Sequence, residues 1–120
     1  ISHLHKDHYS DLASLGYASY VYKNLGLLKN KITVYIPKED SVSQDFEYLM
    51  NFGNEHYFEF IPYNSQTLIN FDQFNISFSL NPHPIKTYSI KVRGYNIVKG
   101  QKVYTEISES VANKTFYIPV

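Results

Sequence analysis

The sequence predicts a mixed α/β or α+β fold, and three observations carry that prediction. Two segments, one near the start and one near the middle, place apolar residues at helical spacing. Short runs rich in β-branched and aromatic residues alternate with these helices and then follow one another. Proline, glycine and asparagine punctuate the runs at close intervals, with no internal repeat and no low-complexity linker between them. The order is helix, strand, helix and a series of strands, expected to form a single domain over residues 1–120.

The first helix is predicted from Leu12, Leu15, Ser19, Tyr22 and Leu25, which recur at steps of three and four. Leu12, Leu15 and Leu25 are expected to be buried against the sheet, and Tyr17, Tyr20 and Tyr22 to pack in the core and at its boundary. Ser10 or Asp11 starts the helix, since both offer side-chain oxygens to the free amides of a first turn. The Asp11 carboxylate also suits the positive end of the helix dipole. Gly26 and the Lys29-Asn30-Lys31 run end it. Ile32 to Ile36, stopped by Pro37, reads as a buried strand of a mixed or parallel sheet. A second helix is predicted over Ser43 to Phe52, with Phe46, Leu49 and Met50 as its buried side and Gly53-Asn54 as its stop. Strands are predicted at Tyr57 to Ile61, Thr67 to Ile69, Phe74 to Leu80, Thr87 to Val92 and Lys102 to Ile107. In the strongest of them strict alternation sets Ile76, Phe78 and Leu80 on one face.

Composition narrows the chemistry. Twelve Tyr and eight Phe supply the aromatic bulk of a packed core. Eleven basic residues balance eleven acidic ones and only Arg93 is an arginine, so there is no strong electrostatic footprint for nucleic acid or anionic membrane. The absence of Cys excludes a disulfide framework, a thiolate zinc site and a cysteine nucleophile together. Apolar stretches run only a few residues, far short of the ~20 a membrane span needs. With Ile1 in first place, the chain is expected to be a fragment.

The chemistry concentrates in Ser2-His3-Leu4-His5-Lys6-Asp7-His8. Even spreading of the five histidines would place about a third of one in the first eight residues, and three are there. In an extended loop His3 and His5 point the same way, while Asp7 and His8, at the turn into the helix, reach an adjacent point. Imidazole and carboxylate ligands suit Zn²⁺, Mn²⁺ or Fe, and two ligand groups side by side suit a two-metal site ~3.5–4 Å across.

Residues 2 to 12, Ser-His-Leu-His-Lys-Asp-His-Tyr-Ser-Asp-Leu, resemble the His-x-His-x-Asp-His signature of metallo-β-lactamase-fold hydrolases, including the Leu one helical turn later. His8 in the final position is similar to ribonuclease Z-like enzymes, phosphodiesterases and glyoxalase-type thioesterases rather than to zinc β-lactamases. A second likeness lies in Ile76 to Val92, where a strand leads through Asn81-Pro82-His83-Pro84-Ile85-Lys86-Thr87-Tyr88 into another strand. In small bacterial ribonuclease Z-like metallohydrolases a His-Pro element at that place supplies a third histidine to the first metal. The resemblance, which spans residues 2 to 104, implies a partial αββα four-layer sandwich with its N-terminal strands and C-terminal part absent. By the same resemblance His3, His5 and His83 hold one metal, Asp7 and His8 begin the second, and Asp7 also relays a proton. Two Zn²⁺ per complete site are implied, with Mn or Fe also suitable. The implied activity is hydrolysis of an ester, phosphodiester or thioester by a metal-activated water. A phosphodiester of small-molecule or nucleic-acid origin ranks first.

The sequence departs from that pattern after Val103-Tyr104-Thr105, where Glu106 and Glu109 stand and no Asp follows to bridge two metals. The tail over residues 107–120 is therefore expected to differ from the family, and the 120-residue chain is expected to show little turnover. The rival reading is a non-catalytic metal-binding or interaction remnant of the same fold. His56 reads as a surface residue, Lys86 as a solvated lysine, and Asp11 as a helix cap ahead of a carboxylate that orients a ligand imidazole. No membrane partner and a cytoplasmic location are expected, and a homodimer is compatible with the sequence.

Overall fold

The computed structural model describes residues 1–104, apart from the side chains of residues 53–55. Its contacts divide the chain into two compact units, Ile1 with residues 3–63 and Ser2 with residues from 64 onward.

The first unit opens with a single 3-10 turn at Lys6–His8, closed by the His8 amide donating to the His5 carbonyl at 2.9 Å. Helix α1 follows over Asp11–Asn24. Ser10 makes no side-chain cap bond, so the start is marked by the Asp11 carboxylate in the first turn. Gly26, at φ +73°, ends the helix. Its amide donates to the Lys23 carbonyl at 3.0 Å and that of Leu27 to Tyr22 at 2.8 Å, the paired bonds of a Schellman stop. Strand β1 (Ile32–Pro37) and strand β2 (Phe58–Tyr63) pair in parallel, from Ile32 opposite Phe58 to Pro37 opposite Tyr63. Helix α2 (Gln44–His56) connects them. Ser43 caps it, its hydroxyl accepting from the Phe46 amide at 3.2 Å.

The helices differ from expectation in two ways. Leu15 and Leu25 are exposed, at 44% and 66%, and Leu12 is only half-buried; Gly16 and Ser19 are the residues α1 buries. The helix approaches through its small residues because the Tyr57 ring fills the space: a Cβ on Gly16 would lie 2.9 Å from Tyr57 Cε2. Tyr17, Tyr20 and Tyr22 are likewise exposed rather than packed in the core. In α2 the helix continues through Gly53 and Asn54 to His56. The roughly 1 kcal/mol that a helical glycine costs is offset where Phe52 packs edge-on against His56 and Tyr57. The core of this unit is Tyr9, Val34, Ile36, Phe46, Tyr57 and Phe58, with Phe46 and Phe58 fully buried.

The second unit is an antiparallel array of β3 (Leu68–Asn70), β4 (Phe74–Asn81), β5 (Thr87–Val98) and β6 (Gln101–Tyr104) in that order. Strand β5 runs six residues beyond the expected Val92. Its first half pairs with β4, from Thr87 opposite Asn81 to Gly94 opposite Phe74, and its second half with β6. Lys99 and Gly100, both at positive φ, make the two-residue turn between β5 and β6. Phe78 is buried on β4, but Ile76 is only half-buried and Leu80 is 55% exposed. Asn81 and Ser89 exchange side-chain hydrogen bonds of 2.9 and 3.0 Å across the start of the β4–β5 hairpin. The expected strand beyond Tyr104, with Glu106 and Glu109, lies outside the described residues.

Candidate metal centre

Short-range geometry builds the histidine cluster. His5 is extended, with φ −77° and ψ 145°, and the 3-10 turn then reverses the chain so that His8 comes back toward His3. The rings of His3 and His5 stand 5.0 Å apart and nearly perpendicular, with ligand nitrogens within 4.8 Å of one another. The His8 ring is 3.8 Å from that of His3, and Asp7 Oδ2 is 3.5 Å from His8 Nε2. The tight turn thus carries His8 over His3, so that the pair Asp7 and His8 adjoins the pair His3 and His5. Only His3 is buried, at 7% exposure; His5, Asp7 and His8 face solvent.

Tyr9, which the sequence reading passed over, anchors this loop. Its buried ring meets Phe46 of α2 edge-on at 4.8 Å, and its hydroxyl lies 3.3 Å from that of Ser43. The signal for it was an aromatic side chain directly after the ligand run, where a tether to the core is needed. Beside the cluster Asp7, His8, Tyr9, Asp11 and Leu12 line a hollow of about 250 Å³. Asp11 therefore sits both in the first turn of α1 and at the edge of the histidine loop.

His83 lies in the second unit, exposed in the Pro82–Lys86 turn between β4 and β5. The Ile85 amide is 3.4 Å from its Nδ1, and Thr87 Oγ1 donates to the Ile85 carbonyl at 3.2 Å, which closes the turn. The Tyr88 amide at the start of β5 donates to the carbonyl of Ser2 at 3.0 Å.

The donor set fits a divalent cation. Two nitrogens on a tetrahedral Zn²⁺ at 2.0–2.1 Å lie about 3.3 Å apart. The His3 and His5 nitrogens, within 4.8 Å, come to that spacing by side-chain rotation. Imidazoles joined by a carboxylate are ligands that Zn²⁺, Mn²⁺ and Fe share.

Among solved structures, the metallo-β-lactamase fold protein YhfI from Bacillus subtilis superposes on 76% of this chain with a TM-score of 0.62 and 23% identity. The chain carries part of the metallo-β-lactamase fold. It spans 35% of the length of that protein. No family model matches the chain, and neither does any curated protein. The parallel β1–α2–β2 unit, the antiparallel β3–β6 array and the histidine loop ahead of α1 are the elements that this metallo-β-lactamase fold comprises here. No helix among the described residues is long and apolar enough to cross a membrane.

Proposed function

We propose that the chain is the metal-binding part of a metal-dependent hydrolase that acts on phosphodiesters, of the ribonuclease Z-like kind. The observation that carries the reading is the pairing of buried His3 with His5, ligand nitrogens within 4.8 Å, in a His-x-His-x-Asp-His run on a metallo-β-lactamase fold. In this reading His3, His5 and His83 hold one cation, and Asp7 and His8 begin a second site. For His83 the reading rests on the resemblance of its Pro82-His83-Pro84 element to the His-Pro element that supplies a third histidine in ribonuclease Z-like hydrolases. With Nδ1 turned to the Ile85 amide, His83 would ligate through Nε2. Zn²⁺, or Mn²⁺ or Fe in its place, supplies Lewis acidity and positive charge at neutral pH when bound.

The chain's own residues do the rest. Buried His3 is the fixed ligand, and exposed His5 closes on the cation. Asp7 would take a proton at Oδ2 from the attacking water and return it to the leaving oxygen of the ester, at the hollow that it lines with His8 and Asp11. Tyr9 holds the loop in register against α2.

The test is hydrolysis of bis(4-nitrophenyl) phosphate with added Zn²⁺ or Mn²⁺ by the chain and by its His5→Ala variant. Turnover that the variant abolishes supports the hydrolase. Zinc bound without turnover favours the non-catalytic metal-binding reading, to which the absence of an Asp after Tyr104-Thr105 points. If neither metal nor substrate is engaged, both readings fall.

A further inference from the structure

A second hollow, of about 350 Å³, opens between α1 and α2 and is lined by none of the histidines of the N-terminal run. Its walls are Ala13 and Tyr20 of α1 and Tyr48, Leu49 and Phe52 of α2, with Tyr57 the most buried of its lining residues at 3% exposure. The rings of Tyr48 and Phe52 are stacked in parallel, 3° apart in plane with centroids 6.4 Å apart, so this wall is aromatic. The Tyr57 ring is held edge-on by Phe52 at 5.6 Å and Phe58 at 4.9 Å.

The Tyr57 hydroxyl is the unusual feature. It stands over Gly16, where a Cβ would lie 3.0 Å from it, and the described residues offer it no hydrogen-bond partner. A buried polar group without a partner is costly and rare, and a ligand acceptor removes that cost. Burial first, and the neighbouring Tyr48 phenol second, push the Tyr57 pKa above its ordinary value of 10.0. At neutral pH it is a hydrogen-bond donor. An apolar hollow of this size with one directed polar group has the character of a small-molecule site.

We propose that this cleft binds a planar aromatic molecule of one or two rings bearing a single hydrogen-bond acceptor, which lies along Tyr48 and Phe52 and accepts from the Tyr57 hydroxyl. The site shares no residue with the histidine cluster and stands or falls independently of the metal reading.

The probes are 1-indanone and indane, a ketone and a hydrocarbon of one shape, titrated into the chain by ligand-observed saturation-transfer NMR. The wild-type chain should bind 1-indanone about tenfold more tightly than indane, the size of one net hydrogen bond. Tyr57→Phe keeps the ring and should erase that difference by weakening the ketone alone. Ala13→Trp adds a ring at an exposed helix position, so it fills the hollow without entering the core and should abolish binding of both. Circular dichroism establishes that each variant is folded, and Ala13→Trp tests the location even if Tyr57→Phe does not fold. The proposal is overturned if folded wild type binds neither probe, if ketone and hydrocarbon bind equally, or if either folded variant retains the wild-type preference.

Discussion

Replacing Gly16 by Ala sets two effects of known sign against each other. Alanine improves helix propensity over glycine by about 1 kcal/mol in a helix interior. Against this, the new Cβ would stand 2.9 Å from Tyr57 Cε2, 3.0 Å from its hydroxyl oxygen and 3.3 Å from Cζ. Carbon pairs are at their optimum near 3.5–4.0 Å, so the ring must retreat by several tenths of an ångström. Phe58 and Phe52, edge-on to that ring at 4.9 and 5.6 Å, resist the movement. Forcing extra volume into a packed site costs about 1–3 kcal/mol, so Gly16→Ala should lose about 1 kcal/mol net. Urea unfolding should show a lower midpoint with an unchanged slope. In a Tyr57→Leu background, where the colliding atoms are gone, the same substitution should raise the midpoint instead. A Gly16→Ala chain more stable than wild type, or one equally destabilised in both backgrounds, would refute the close approach of α1 to Tyr57.

Phe46→Ala should cost about 3–5 kcal/mol in the same unfolding assay, because Phe46 is fully buried and packs on Tyr9 and Phe60; a loss under about 1 kcal/mol would mean it is not the centre of the first core. Lys6→Ala should change stability by no more than about 0.5 kcal/mol, since the Lys6–Asp45 pair, 3.4 Å apart, is about three-quarters exposed on both sides. Tyr57 also sets a pH dependence. Its folded pKa is raised above 10.0, so the unfolded chain loses that proton first. The associated stability is whole below pH 10.0 and falls as pH rises above it. Tyr57→Phe should flatten the alkaline decline in midpoint, and an identical decline in the variant would count against the shift.

What could be read from the sequence follows from how local each signal is. The order of elements and the histidine loop were legible because they depend on neighbours within a few residues. The docking face of α1 was not. Hydrophobicity pointed to Leu12, Leu15 and Leu25, whereas the residues that α1 buries are Gly16 and Ser19, and the space over Gly16 is taken by the distant Tyr57 ring. The length of β5 escaped for a similar reason. Its second half is paired by β6 through a Lys99-Gly100 turn, and no local run of β-branched residues announces it. In α2 the glycine at position 53 reads as a stop by propensity, yet aromatic packing of Phe52, His56 and Tyr57 carries the helix past it. The turn that carries His83 was legible from its two flanking prolines, while its role as a ligand rests on resemblance.

The central claim is that His3, His5 and His83 share one divalent cation, and zinc affinity tests it most directly. Competition with a chromophoric chelator should give one tight Zn²⁺ per chain for the wild type. His5→Ala and His83→Ala should each weaken that site by about a hundredfold or more, since loss of even an outer-shell partner typically costs about 10- to 100-fold. His56→Ala, outside the motif, should leave it unchanged. A His83→Ala chain that binds zinc as tightly as the wild type would contradict the three-histidine site.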